Sequence, residues 1–388
     1  MDHEHLRPES PLMTMSNSFL HDEMLRLSIP GPSKDPMYYI SDGNTVLLVD
    51  NTLFKVHRSI LMKDKSAFET MFQLTAETDS ARSDCSMTAP EGESDDNPIR
   101  LQGDTADEFR ALLWALYALP HELMLATSPD ANCAQLVNLA RMAHKYQFRS
   151  IETWVLSALH MHYSRPSALD SIPATSPPTL SHSPSANDAP SLVQITELAA
   201  LCERPDLLEL AVARWKRQIG EGKDLALAIE IGERLNLRPM LGLAYHAMML
   251  KGKVYWESET SLTREQRVRL LSGYYALTKM WEALPSQPPS LSHSVRCTSQ
   301  QRCTKAFGLL WKAVLEMGTE VIPGLQREDV LAKLMLVEGT MKALVEKDMQ
   351  PQGISDGLPH CKESALMVTT MKVREFKETL TDYFTDDF

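Results

Sequence analysis

Residues 43–72 read GNTVLLVDNTLFKVHRSILMKDKSAFETMF. Thr45 to Val49 and Thr52 to Val56 are rich in β-branched and large apolar side chains, and only Asp50-Asn51 separates them, the chemistry of a compact hairpin. From Arg58 onward the apolar spacing becomes helical, which predicts two short helices over Arg58 to Met62 and Ser66 to Leu74, with Ser66 placed to start the second. A strand pair therefore runs straight into paired helices through Phe54-Lys55-Val56-His57-Arg58.

On the N-terminal side, residues 1–36 carry Pro8, Pro11, Pro30, Pro32 and Pro36 and little periodicity, which predicts a flexible arm. Within it, Phe19, Leu20, Met24, Leu25 and Leu27 have the spacing of a short docking helix. On the C-terminal side, residues 75–98 are polar and acidic and read as a solvated loop. Ile99-Arg100-Leu101 then forms a short strand. Asp104 or Thr105 caps a helix carrying Phe109, Leu112, Leu113, Leu116 and Tyr117, and Cys133 to Leu159 continues the helical pattern.

Residues 164–190 are dense in Ser and Pro and too poor in apolar groups to offset the entropy of ordering, so they read as a linker. Beyond Ser191 no strand pattern is evident. Leu208, Val212, Trp215 and Ile219 share one helical face, Pro239 opens a helix bearing Met240, Leu241, Ala244, Ala247 and Met248, and Phe307, Leu310, Trp311, Val314 and Leu315 repeat at helical spacing. The expected order is an arm (1–36), an α+β domain (37–163), a linker (164–190), a helical domain (191–284), a second Pro/Ser linker (285–299) and a C-terminal helical region (300–388).

The 388 residues are 43% hydrophobic and 23% charged, ordinary for globular domains, and their number favours more than one core. A net charge of −12 argues against a phosphate-backbone partner, so no nucleic-acid binding is expected. Six scattered cysteines make no disulfide framework and suit a reducing compartment. The first residues lack a signal-like apolar core, and the run 111–126 is interrupted by Pro120, His121 and Glu122. No membrane partner is therefore expected, and the cytoplasm and/or nucleus is the expected location.

The order of hairpin, paired helices, acidic loop, short strand, helix with a late Tyr and helix ending in Ala-x-x-Tyr resembles a BTB/POZ domain over roughly residues 38–160. The segments DGNTVLLVDNTLFKVHRSIL, SDDNPIRL and DEFRALLWALYALP are similar to the BTB proteins that mushroom-group fungi carry in many copies. The resemblance implies an α+β BTB/POZ domain, a small sheet flanked by helices, followed by an all-α C-terminal region. Its structural signature falls on Leu47, Val49, Phe54, His57, Leu61, Phe68, Phe72, Phe109, Tyr117 and Tyr146. His57 is implied to be a buried residue bonding backbone, without chemistry of its own. The implied function is a non-enzymatic protein–protein interaction scaffold that pairs with itself or another BTB protein, with Val46, Leu48, Arg58, Met62, Lys65 and Met71 as interaction residues. It extends to a substrate adaptor for a cullin-type ubiquitin ligase, the helical region binding a further protein. The alternative is a transcriptional co-regulator assembly factor without its own DNA-binding domain. The chain departs from the family pattern at Asn44, where an Asp is usual, at Lys65-Ser66, where the helix-starting Ser is one place late, at Ala118-Leu119-Pro120 in place of a Thr-Gly, and at Val155 in place of a Cys.

Cys297-x5-Cys303, with His293 upstream and His360-Cys361 downstream, offers four zinc donors, but zinc knuckles space their Cys pairs two to four residues apart. Cys303 lies one helical turn before Phe307 and reads as a buried free cysteine. Met1-Asp2-His3 with His5 has copper donors on an arm expected to be unstructured. Glu91 to Asp96 lacks the alternation of a calcium loop, and Gly220-Glu-Gly-Lys223 reads as a glycine helix stop. No GxSxG, HExxH, GxGxxG or CxxC is expected. The expectation is no catalytic residue, no metal and no cofactor.

Overall fold

The computed structural model describes residues 31–81, 91–165, 168–170, 172–175, 189–317, 325–346, 358 and 360–386. The docking-helix segment and the copper donors of the N-terminal arm lie outside these residues. The chain divides into two compact units. Unit 1 takes the described residues up to Ala126 together with Asn138–Val155, and unit 2 takes Thr127–Val137 and those from Leu156 onward. The expected single α+β block over 37–163 thus shares its last helices between the two.

Unit 1 is a four-stranded mixed sheet with flanking helices. The hairpin forms as the sequence predicts: β2 (Thr45–Val49) and β3 (Thr52–Val56) pair antiparallel with Leu47 opposite Phe54 and Val49 opposite Thr52. Asp50 accepts the left-handed turn conformation at φ 54°, which Asp tolerates better than most residues. β4 (Ile99–Leu101) adds parallel to β2, and β1 (Ser33–Tyr39) adds parallel to β3, giving the order β1-β3-β2-β4.

β1 corrects the arm boundary at 36, because Ser33 to Pro36 already belong to the sheet. Pro36 hid it, since proline argues against a strand except at an edge, where a missing N–H is harmless. The pairing shifts between Lys34 and Tyr39. There the buried Asp35 Oδ1 accepts the N–H groups of Met37 (3.0 Å) and Tyr38 (2.7 Å).

One face of the sheet carries Leu47, Val49, Phe54 and Val56, all buried. It packs on α1 (Arg58–Leu61), α2 (Ala67–Ala81) and α3 (Ala106–Tyr117) through Leu61, Phe68, Phe72, Phe109 and Leu112. Phe54 meets Phe109 edge-on at 4.9 Å, and Phe68 stacks on Tyr146 at 4.5 Å, geometries that aromatic pairs favour. α3 opens with a capping box, Thr105 accepting from the Glu108 amide while Glu108 returns to the Thr105 N–H. α4 (Pro120–Leu125), α5 (Cys133–Lys145) and α6 (Arg149–Tyr163) follow.

The opposite face gathers Val46, Leu48 and Leu53 into a separate small cluster with Tyr39 beside it. Beside it, residues 91–98, expected to be solvated, are folded back. The Val46 N–H donates to the Gly92 carbonyl (2.7 Å), the Tyr39 hydroxyl donates to Asp95 Oδ1 (2.6 Å), and Lys34 Nζ pairs with Asp95 at 2.9 Å. Gly92 sits at φ 87°, and a Cβ there would lie 2.8 Å from Ile99 Cδ1. A polar composition predicted hydration, but one tyrosine and one lysine give the acidic segment an anchor.

Among the described residues, the regular elements of unit 2 are all helical. Its helices are α7 (Leu192–Leu201), α8 (Pro205–Gly220), α9 (Leu225–Arg234), α10 (Arg238–Leu250), α11 (Lys253–Ser258), α12 (Arg264–Ala283), α13 (Gln300–Met317), α14 (Val330–Glu346) and α15 (Lys362–Thr379). Ser191 and Thr263 open α7 and α12 with capping boxes. α8 turns Leu207, Ala211, Trp215 and Ile219 inward. The expected Leu208 and Val212 are only half-buried, a rotation of the face by about one residue that the near-equal hydrophobicity of Leu207 and Leu208 conceals. Phe307, Leu310, Trp311, Val314 and Leu315 are buried as the spacing predicts. The Ser/Pro linker is partly built in: Leu169, Ile172 and Ala174 are buried, and the Leu192 N–H donates to the Pro173 carbonyl at 2.9 Å.

α10 is the hub, buried on most of its circumference and packed against α8, α9, α12 and α15. A Cβ on Gly242 would lie 2.7 Å from the Thr381 backbone N, so only glycine lets the 3-10 turn Leu380–Tyr383 seat on this helix. Tyr245 stacks on Phe384 at 5.1 Å beside that turn. Gly242→Ala should therefore destabilise unit 2 by about 1–3 kcal/mol through overpacking. Gly339→Ala, on an exposed face of α14 with open space at its Cβ, should stabilise by up to about 1 kcal/mol through helix propensity. Urea unfolding of the two variants, followed by circular dichroism, separates the signs.

Candidate functional site

The strand-to-helix junction of unit 1 is organised around Tyr117. Its hydroxyl accepts the backbone N–H of His57 (3.0 Å) and lies 2.9 Å from His57 Nδ1, while His57 Nε2 faces Asp42 Oδ2 at 3.4 Å. A neutral ring that accepts the tyrosine proton at Nδ1 and holds its own on Nε2 satisfies all three groups. His57 is half-buried and its ring bonds a side chain, which corrects the expectation of a buried ring bonded to backbone. Burial, with the charge of Asp42 adding to it, raises the Tyr117 pKa, and the donated His57 amide works the other way. These contacts lock the turn that links β3 to α1.

Asn44 completes the junction from the other side, its Oδ1 accepting the Arg58 N–H at 2.8 Å. That N–H opens α1, so a neutral amide at position 44 serves as a local cap. Arg58 Nη2 donates to the Phe72 carbonyl (2.8 Å), and the guanidinium lies 4.4 Å from the Phe72 ring centroid. This arginine thus ties α1 to α2.

The six expected interaction residues do not form one set. Val46 and Leu48 are buried in the small cluster behind the sheet and present nothing to a partner, because alternation along β2 gives both faces a cover. Arg58 is engaged as described, Met62 and Met71 are half-buried, and Lys65 is exposed at φ 52°. Next to Lys65, Asp64 Oδ2 accepts the Ser150 N–H (2.7 Å) and hydroxyl (2.8 Å), which pins the turn between α1 and α2 to the start of α6. Of the signature residues, Leu47, Val49, Phe54, Leu61, Phe68, Phe72, Phe109 and Tyr146 are buried, whereas His57 and Tyr117 are half-buried. The Tyr146 hydroxyl donates to Asp104 Oδ2, and burial followed by this carboxylate raises its pKa.

Two features lay outside the sequence reading. Asp35, buried in β1, takes the Arg110 Nε at 2.6 Å from α3, a pairing across 75 positions that no local pattern announces. Large apolar side chains also remain on the surface: Met37 (71% exposed), Met124 (73%), Leu125 (64%) and Leu119 (59%). α4 buries none of its residues, and Tyr38, the neighbour of Met37, approaches Tyr117 at the end of the preceding helix with ring centroids 6.2 Å apart. The apolar spacing of 119–125 looks like core in sequence. Only the fold shows it outside.

In unit 2, Cys303 is buried at the start of α13 as expected of a core cysteine, but it is not alone. His293, Cys297 and Cys361 bring their donor atoms to it, and these four residues could hold a metal ion. The glycine stop at 220–223 closes α8, with Gly222 at φ 71°. The expected absence of GxSxG is corrected by the sequence itself, since Gly353-Ile-Ser-Asp-Gly357 has that spacing, which makes a nucleophile elbow only between a strand and a helix. It lies outside the described residues. Among the described residues, no helix is long and apolar enough to cross a membrane.

No family model, curated protein or solved structure matches the chain. The junction's role therefore rests on its own geometry. Tyr117→Phe removes the acceptor of the His57 N–H and the partner of Nδ1 in one change, and should cost about 1–3 kcal/mol. Urea unfolding followed by intrinsic fluorescence measures it. A loss no greater than that of a surface control would contradict the locking role.

Proposed function

We propose that the chain is a non-enzymatic scaffold whose first unit is a BTB/POZ-like interaction domain that associates with a second copy of itself. The observation that carries this reading is the exposure of Met37, Leu119, Met124 and Leu125 on unit 1, with no residue of α4 fully buried. Leu119, Met124 and Leu125 come from one short stretch, and contiguous exposed apolar surface marks interaction sites. The titratable groups of the same unit support it from the other direction. His57 is held by Tyr117, Asp35 by Arg110, and Asp104 by Tyr146 and Lys145. Each of these pairs fixes elements of the fold to one another.

A stable pair of domains buries about 1,600 Å² in total, more than four side chains supply, and the half-buried Met62 and Met71 and the exposed Lys65 are proposed to extend the interface on the strength of the family resemblance alone. The adaptor role toward a cullin scaffold draws its support from the family resemblance alone. The helical unit is proposed to carry the second binding function.

Light scattering of the full chain should give a dimer mass at about 50 μM, a concentration at which micromolar association is nearly complete. Leu119→Glu with Leu125→Glu should shift that mass to the monomer with an unchanged circular dichroism spectrum. A wild-type chain that remains monomeric at that concentration would sink the self-association reading.

A further inference from the structure

We propose that His293, Cys297, Cys303 and Cys361 form a structural zinc site in unit 2, independent of the interaction role of unit 1. All four donor atoms lie within 4.8 Å of one another. Cys297 Sγ is 3.6 Å from Cys303 Sγ and 3.7 Å from His293 Nδ1, and Cys361 Sγ is 3.6 Å from the same Nδ1.

Tetrahedral zinc with Zn–S near ~2.3 Å and Zn–N near ~2.0 Å requires edges of about 3.8 Å between sulfurs and about 3.5 Å between sulfur and nitrogen. Three of the six edges, at 3.6, 3.6 and 3.7 Å, fall near those values, and the others stay within 4.8 Å. They are far beyond a disulfide, whose sulfurs stand about 2.05 Å apart, and all five described cysteines are free thiols. Three sulfurs and one imidazole on a tetrahedron are the donor set that selects zinc over harder divalent ions.

The surroundings fit the same ligand. His293 Nε2 lies 3.1 Å from Thr304 Oγ1, a partner that can accept the ring proton when Nδ1 turns its lone pair to a metal. Metal-bound imidazoles characteristically carry such a partner on the remote nitrogen. Cys361 precedes α15, an eighteen-residue helix, and is fully buried. The positive end of a helix dipole favours a thiolate. Cys303 is buried too. Zinc binding would displace the three thiol protons to solvent and leave a site of net charge −1.

The five-residue spacer that argues against a zinc knuckle is explained by the fold. Cys297 sits in the coil before α13 and Cys303 in its first turn, so the helix start returns the chain to the same point. The remaining donor comes from 68 positions beyond His293. The ion would clip the coil of residues 287–299 to the start of α15.

Zinc content of the full chain, purified under reducing conditions without chelator, tests the site. About one zinc per chain is expected. Cys297→Ser, at a half-buried position, should lower this at least fivefold with an unchanged circular dichroism spectrum, and Cys133→Ser should leave it unchanged. Replacing zinc by cobalt(II) in the wild-type chain should give the intense visible bands of a tetrahedral thiolate complex, a readout that needs no variant to fold. Substoichiometric zinc together with no cobalt–thiolate absorption would overturn the proposal, as would full zinc retention by Cys297→Ser.

Discussion

The burial of β2 on both faces is the constraint from which unit 1 is built. All five residues of this strand are buried, so it cannot lie against solvent on either side. Helices supply one cover, as the run of apolar positions from Leu61 to Phe72 anticipates. The other comes from a short acidic segment, held by one carboxylate that meets Tyr39 and Lys34 at once. Hydrogen bonding to Tyr39 and then Lys34 depresses the Asp95 pKa, so the cover is formed by an ionised group whose contacts are polar. Behind the sheet, a few apolar side chains suffice because the area to be covered is small.

Unit 2 solves a different problem. An α-helical assembly without a sheet must decide which helix occupies the middle, and α10 takes that place through small residues as much as large ones. Gly242 admits the final 3-10 turn, and Ala244 is fully buried. The turn is then held by charge: Arg269 joins Glu233 to Asp386, Arg238 meets Asp382, and the Tyr245 hydroxyl donates to Glu233. Half-exposed ion pairs of this kind add little individually. As a linked set, they fix where the last described residues lie.

The hairpin, its register and most of the buried positions were legible in the sequence because they follow from periodicity, a local property. What was not legible depended on partners distant in sequence. β1 was masked by Pro36, since the edge position that makes proline acceptable is known only once β3 has a neighbour. The acidic loop was masked by its composition, because hydration and anchoring by one tyrosine look alike in a string of residues. Val46 and Leu48 were assigned to an interface because alternation reveals two faces without saying whether the second is covered. The Cys/His cluster was masked by spacing rules drawn from compact knuckles, which do not anticipate a fourth donor arriving from another helix. His57 and Tyr117 are expected only as separate signature positions, and their mutual bond is visible only in three dimensions.

The edge strand β1 has one more consequence. Pro36 offers no N–H, and the N–H groups of Met37 and Tyr38 are already taken by the Asp35 carboxylate. A strand whose donors are spent internally is a poor template for another strand. The sheet is thereby blunted against open-ended growth, the route by which exposed edges lead to fibrous aggregates. A chain with Met37 on its surface can keep an adhesive apolar side chain there and still be barred from polymerising through its backbone.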